Sequence, residues 1–254
     1  MVNFIDTTPP KPDNHFVFVA PMYKASETLP RLIHSLLGQS YEEWQLILID
    51  DTVDDKHERH AEQRIVFDDF FHTGGVEHIE SVWNDTRMWE VANVLKGISM
   101  CHDDDIVCRI DADDYLTDLD ALYIINETYK QTDCDCLWTA HRWGFSDKNI
   151  SGPLPDGADP YQHPWVTSHL KTFRKRLIND IKDENFRGED GEYVRRAGDQ
   201  AIYLPVLHNA RKRVFVPRVM YHYTIEDRPE TYQTKDARFQ RDEALFLRKR
   251  GYVE

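Results

Sequence analysis

Three stretches, "NHFVFVAPMY" from Asn14, "WQLILID" from Trp44 and "DIVCRI" from Asp105, are apolar at nearly every position and too short for buried helices. Such runs read as strands covered on both faces, which demands a layer of helices on either side of the sheet. The intervening segments supply them. "ASETLPRLIHSLLGQ" carries an apolar stripe of Leu29, Leu32, Ile33, Leu36 and Leu37, with Ser26 or Thr28 to cap it, Pro30 in its first turn and Gly38 to end it. A polar helix over 55–70, the strand "VEHIESV", a helix over 87–100 and the helix "DLDALYIINETYKQ" complete the alternation. The pattern predicts an α/β fold with a doubly wound, mostly parallel sheet flanked by helices.

From Asp135 the pattern changes. "DCLWTAHRWGF" reads as strand, "SDKNISGPLPDGADP" as a long functional or mobile loop, and "SHLKTFRKRLINDI" as a basic helix. Another helix lies within "DGEYVRRAGDQAIYLPVLHNA", a late strand in "RVFVPRVMYHY", and a closing helix in "DARFQRDEALFLRKRGY". No linker divides the chain, so the expectation is one domain over 1–235, with halves 1–116 and 117–235, and a C-terminal helical extension over 236–254.

Composition narrows the function classes. The net charge of −14, from 31 basic and 45 acidic residues, argues against a general nucleic-acid binder. Residues 171–218 run the other way, with 12 Lys or Arg against 7 Asp or Glu. No run of 18 apolar residues occurs, and the first 14 residues lack a basic-then-apolar leader pattern, which points to a cytoplasmic protein without a membrane span. Cys101, Cys108, Cys134 and Cys136 form no CxxC and read as reduced core thiols.

The strand at 105–110 runs straight into Asp111, Asp113 and Asp114. Asp-x-Asp occurs four times among the 29 aspartates, yet this copy alone follows an apolar strand, where open α/β sheets bind ligands. A solvated acidic turn is one reading. A calcium loop is excluded, because its sixth position would be Leu116 and not glycine. A dehalogenase-type nucleophile fits Asp114-Tyr115 poorly, and no Walker A loop exists. What survives is Mg²⁺ or Mn²⁺ held by one or two carboxylates and completed by phosphate oxygens.

"VFVAPMYKASETLPRLIHSLLGQSYEEWQLILIDD", "RIDADDYL", "VTSHLKTFRKRLI" and "GDQAIYLPVL", in that order, resemble family 2 glycosyltransferases, whose GT-A fold is a Rossmann-like sheet. The resemblance implies a nucleotide-sugar donor, most simply a UDP-sugar, held by residues 1–116, and an acceptor held by 117–235. It implies that Ala20, Pro21 and Tyr23 line the base and ribose, that Asp50 or Asp51 hydrogen-bonds them, and that Asp111 serves ribose and metal. Asp113 would be the principal ligand of Mn²⁺ or Mg²⁺. Asp199 would be the general base, with Asp190 in reserve. There are departures. Thr52-Val53 stands where the family often has Gly-Ser, and "EVAN" keeps Asn93 but lacks the neighbouring arginine, for which Arg87 or Arg109 could substitute. The Gln-x-x-Arg-Trp motif of processive synthases is missing, which favours transfer of a single sugar.

His222 in "MYHY" is either a metal ligand or a packed core histidine. Trp165 is a candidate acceptor platform. Lys171, Arg174, Lys175, Arg176, Arg195 and Arg196 either solvate a helix, serve the donor diphosphate, or meet a polyanionic acceptor. That acceptor would be an acidic glycan, a teichoic-type polymer or DNA with a hydroxymethylated base. The rival class is a non-catalytic module that binds a nucleotide-sugar or glycan.

Overall fold

The computed structural model describes residues 13–69, 76–144, 146, 148–225 and 235–254; most of the N-terminal segment read above for a leader lies outside them. Four parallel strands form one half of the sheet: β1 (Phe16–Met22), β2 (Trp44–Asp50), β3 (Ile79–Trp83) and β4 (Ile106–Arg109), in spatial order β3-β2-β1-β4. The sheet continues through β5 (Tyr115–Leu116), β6 (Cys136–Trp143), β7 (Lys171–Arg174) and β8 (Arg213–Tyr223), in the order β4-β7-β6-β8-β5. There β7 runs antiparallel to β4 and β6, β8 runs parallel to β6, and β5 caps the edge antiparallel to β8. The sheet is therefore mixed but mostly parallel.

Both faces are covered, as the doubly apolar strands require. Phe16, Phe18, Ala20, Leu46 and Leu48 pack with α1 (Leu29–Leu37) and α4 (Ala121–Thr132). Their strand neighbours Val17, Val19, Ile47 and Ile49 pack with α3 (Trp89–Ile98) and α6 (Gly198–Asn209) on the opposite face. The polar α2 (Lys56–Arg64) follows β2 and runs into a π-helical turn over Ile65–Asp69, while α7 (Lys235–Arg250) packs against α6. All four cysteines are buried thiols. No helix among the described residues is long and apolar enough to cross a membrane.

One element departs from expectation. "KTFR" is strand β7, and only a four-residue helix, α5 (Arg176–Asn179), follows it. Lys171, Thr172 and Phe173 are all buried, so the lysine that suggested a solvent-facing helix is a core residue. The α1 cap also differs. Thr28 occupies the N-cap position, but its hydroxyl donates to the carbonyls of Ala25 and Ala112 at 3.2 Å each. It thereby ties the start of α1 to the acidic turn beyond β4.

Candidate active site

The carboxyl ends of β1, β2 and β4 open into two adjoining cavities of about 330 and 340 Å³, and Pro21, Tyr23, Asp111 and Asp113 line both. The three acids after β4 diverge. Asp114 turns inward, accepting the Tyr221 hydroxyl at 2.6 Å and the Thr224 amide at 2.7 Å, which fastens the turn to the end of β8. Burial and the charge of Asp111 push its carboxyl well above the usual range. Asp111 stays partly open and stands 2.7 Å from the Arg109 guanidinium. Its burial would raise its pKa, but Arg109 holds it below the ordinary value.

Arg109, at the end of β4 and almost wholly buried, is the hub. It binds Glu90 of α3 and Asp111, and reaches Asp199 at 3.5 Å. Asp199 sits in the first turn of α6, with about a third of its side chain (32%) open. Lys171 Nζ lies 2.8 Å from one of its oxygens and His169 Nε2 3.6 Å from the other. Loss of hydration would raise the Asp199 carboxyl, but Lys171 and Arg109 overcome this and hold it well below the usual carboxylate range. His169 is stacked on Tyr221 and Tyr223, and burial with the Lys171 charge lowers its pKa to about 3, leaving a neutral imidazole. Burial also raises Glu90 to about 7, with the negative charges of Asp111 and Asp199 adding to it against Arg109. The cluster carries more acid than the buried cations balance.

The opposite wall is a ladder of rings and guanidinium groups. Arg87 lies 3.4 Å from the centroid of Tyr23 and 4.5 Å from that of Trp89, and Arg196 lies 5.1 Å from Trp89. Asp51 underpins it by accepting the amides of Met88 and Trp89 at 2.8 and 2.9 Å, a cap for α3 supplied from the end of β2. Trp89 and Lys24, which line one cavity each, are non-glycine residues at positive φ, +66° and +55°. Backbone strain of that kind concentrates at ligand sites.

Of the residues singled out from sequence, Pro21, Tyr23, Asp51, Asn93, Arg109, Asp111, Asp113 and Asp199 all line the larger of these two cavities. Both candidate arginines, Arg87 and Arg109, are there. Four others are placed elsewhere. Ala20 points into the α1 core. Asp50 is buried against Arg59 at 3.1 Å and the Thr52 amide at 2.9 Å. Asp190 lies in a separate groove with Phe239 and Phe246, its carboxylate 3.5 Å from Arg195. His222 alternates away from Tyr221 and Tyr223 along β8 and stacks on Tyr115. His169 approaches the acids as well: Asp111, Asp114 and His169 present ligand atoms within 4.8 Å of one another. Trp165 packs against the α6-side core, with Arg248 over its ring.

The basic segment does not form one patch. Lys171 is spent on Asp199, Arg174 pairs with Asp133 and Lys175 with Asp103, and Arg176 lies 3.8 Å from Asp135. Only Arg195 and Arg196 join Arg87 at the cleft. A bigger cavity of about 590 Å³, between Asp135, Arg176, His208, Arg211 and Tyr252, holds none of the acid cluster.

Sequence reasoning missed Glu90, Trp89, His169 and Tyr223, and it singled out Lys171 without its partner Asp199. "MWE" opening a helix was the one local signal for the first two; the others acquire their roles only from partners distant in the chain.

The fold has counterparts among solved structures. S. aureus TarS 1-349 in complex with UDP-GlcNAc superposes with a TM-score of 0.62 at 17% identity, over 87% of this chain and 61% of that one. The longer S. aureus TarS structure gives 0.59 at 16%, over 83% of this chain and 37% of that one. The mannosyltransferase PcManGT from Pyrobaculum calidifontis, in complex with GDP-Man and Mn²⁺, gives 0.56 at 12%, over 86% and 59%. The chain thus spans less than two thirds of the length of each, and at these identities the likeness is one of fold, the GT-A fold. No protein with a curated description matches the sequence significantly. The sequence model of glycosyl transferase family 2 matches residues 17–192, more than half of the chain, and the protein belongs to that family.

Proposed function

We propose that the protein is an inverting glycosyltransferase that moves a single sugar from a nucleotide-sugar, most simply a UDP-sugar, to an acceptor hydroxyl. The observation that carries this reading is the convergence of Asp111, Asp113 and Asp199 on one cleft at the carboxyl ends of the parallel strands. The ligands bound in the solved neighbours, UDP-GlcNAc in one and GDP-Man with Mn²⁺ in another, are in keeping with the donor class.

The donor set suits a hard divalent cation. Acids outnumber cations around Arg109; burial first, and the neighbouring negative charges second, raise the carboxyls of Glu90 and Asp114. Asp111 and Asp113 would hold Mg²⁺ or Mn²⁺, with His169 as the neutral imidazole beside them, while Asp114 is committed to Tyr221 and Thr224. Bound there, the ion would act as a Lewis acid toward the diphosphate oxygens. The protein's own groups do the rest. Arg87, Arg195 and Arg196 face the developing negative charge of the leaving diphosphate. The anomeric carbon–oxygen bond breaks with its electron pair going to the diphosphate; the acceptor oxygen bonds to that carbon from the opposite side, and its proton passes to Asp199. Lys171 and Arg109 keep Asp199 ionised, the form that can accept that proton. A polyanionic acceptor would meet three cleft arginines and not the whole basic segment.

Calorimetry with UDP and Mn²⁺, followed by transfer assays over a donor panel, tests this. Asp113→Asn is expected to remove the Mn²⁺ dependence of UDP binding. Asp199→Asn is expected to keep that binding and slow transfer by at least about 100-fold. UDP binding with no turnover of any donor would favour the non-catalytic module, and Asp199→Asn transferring at the wild-type rate would remove the base assignment.

A further inference from the structure

Nothing in the local sequence starts α6. Its N-cap is Ala197, which makes no side-chain cap, and the preceding residues are Arg195 and Arg196. Yet this is the turn that presents Asp199 to the cleft. The missing cap comes from α7. Glu243 accepts the amide of Arg195 on one oxygen at 2.9 Å, and those of Arg196 and Ala197 on the other at 2.8 and 3.0 Å. Three consecutive amides converging on one carboxylate form a strong, charge-assisted anchor. The same helix grips the turn at two further points: Arg196 donates to Asp236 at 3.1 Å, and Arg248 donates to Gln200 at 2.8 Å. From the other side, α3 closes on Gly198, where an added Cβ would fall 2.2 Å from the Glu90 carboxyl carbon. The segment 195–199 is therefore clamped between Glu90 and Glu243.

We propose that Glu243 is a positioning residue for transfer: by holding the amides of 195–197 it sets where the Asp199 carboxylate and the Arg195 and Arg196 guanidinium groups stand in the cleft, making α7 a working part of the active site. The inference rests on Asp199 acting as the base. It reaches beyond the family match, which ends at residue 192, before both partners. Glu243 touches no reacting atom in this scheme. Its effect on rate passes through the turn.

Two measurements decide it. In the wild-type chain, hydrogen exchange at the amides of 195–197 should be protected, and in Glu243→Gln, which retains a single carbonyl acceptor, protection should fall at least about 10-fold. Exchange in the wild type as fast as at the exposed loop amides of Asp156 and Gly157 would overturn the proposal with no substrate needed. Kinetics use whichever of UDP-GlcNAc, UDP-glucose and GDP-mannose turns over with Mn²⁺. Glu243→Ala should lower kcat about 30- to 100-fold with the donor KM within about 3-fold, since misplacing a catalytic group by about 1 Å costs on this order. Glu243→Gln should recover part of the loss. The neighbouring exposed Asp242→Ala should leave kcat unchanged. A folded Glu243→Ala with wild-type kcat overturns the positioning role. Should Asp199→Asn also transfer normally, the base assignment has failed instead; an inactive Asp199→Asn beside a fully active Glu243→Ala sinks only the positioning role. If Glu243→Ala does not fold, the exchange arm with Glu243→Gln stands.

Discussion

Glu62 shows how a single residue ties stability to the wall of the cleft. Its side chain is wholly buried; one oxygen accepts the Ala25 amide at 2.8 Å and the Thr52 hydroxyl at 3.3 Å, beside Asp50. Burial, with the Asp50 charge adding to it, pushes its carboxyl up to about 8 from an ordinary 4.5. The folded state therefore holds a proton that the unfolded chain releases above 4.5. Stability from this group is complete below that value and is lost as pH rises through 8. Between pH 6 and 9 the loss should be on the order of 2 kcal/mol. Glu62→Gln, which mimics the protonated acid, should flatten it; thermal melts across that range give the answer, and an unchanged alkaline slope in the variant would refute it. Asp113 could be picked out from position, because acids directly after an apolar strand stand out, and Asp199 from the family resemblance of its segment. Glu62 could not, since its neighbours Ala25 and Asp50 meet it only in the fold.

Among the elements, α3 carries the most of the cleft and depends on one glycine. An added Cβ at Gly97 would lie 2.5 Å from Val19 and 3.0 Å from Ile49, so the helix rests directly on β1 and β2. Alanine gains about 1 kcal/mol in helix propensity over glycine, but this clash outweighs it. Gly97→Ala should cost about 1–3 kcal/mol in urea unfolding and weaken UDP binding, because Trp89, Glu90 and Asn93 move with the helix. A variant as stable as the wild type would mean that α3 does not rest on the sheet there. Strands β1, β2 and β4 were legible because being apolar on both faces leaves them no other home. Strand β7 was not: buried Lys171 breaks the apolar run, and its compensation, Asp199, lies 28 residues away.

At the scale of the molecule, charge that is contiguous in sequence is scattered in space. Residues 171–218 hold 12 cations, but ion pairs with Asp103, Asp133, Asp183 and Asp199 draw several of them to different parts of the surface or the interior. Of the 12, Arg195 and Arg196 remain at the cleft, where Arg87 joins them. Were the acceptor a duplex carrying hydroxymethylated bases, its binding should therefore fall with salt at a log–log slope of about −3 or shallower, about 0.9 per cation. A slope near −6 between 50 and 200 mM salt would show that the segment acts as one patch after all. The alternation of strands and helices from β1 to β4, the two-faced core and the place of the Asp-x-Asp turn followed from the sequence itself, because hydrophobic periodicity and the end of an apolar strand are local properties. Which acid is open and which is locked away, which imidazole stands beside them, and what starts the helix bearing Asp199 were decided only in three dimensions. Each depends on a partner 30 to 110 residues distant, and the desolvation and Coulomb energies that set these roles exist only once folding has brought the pair together.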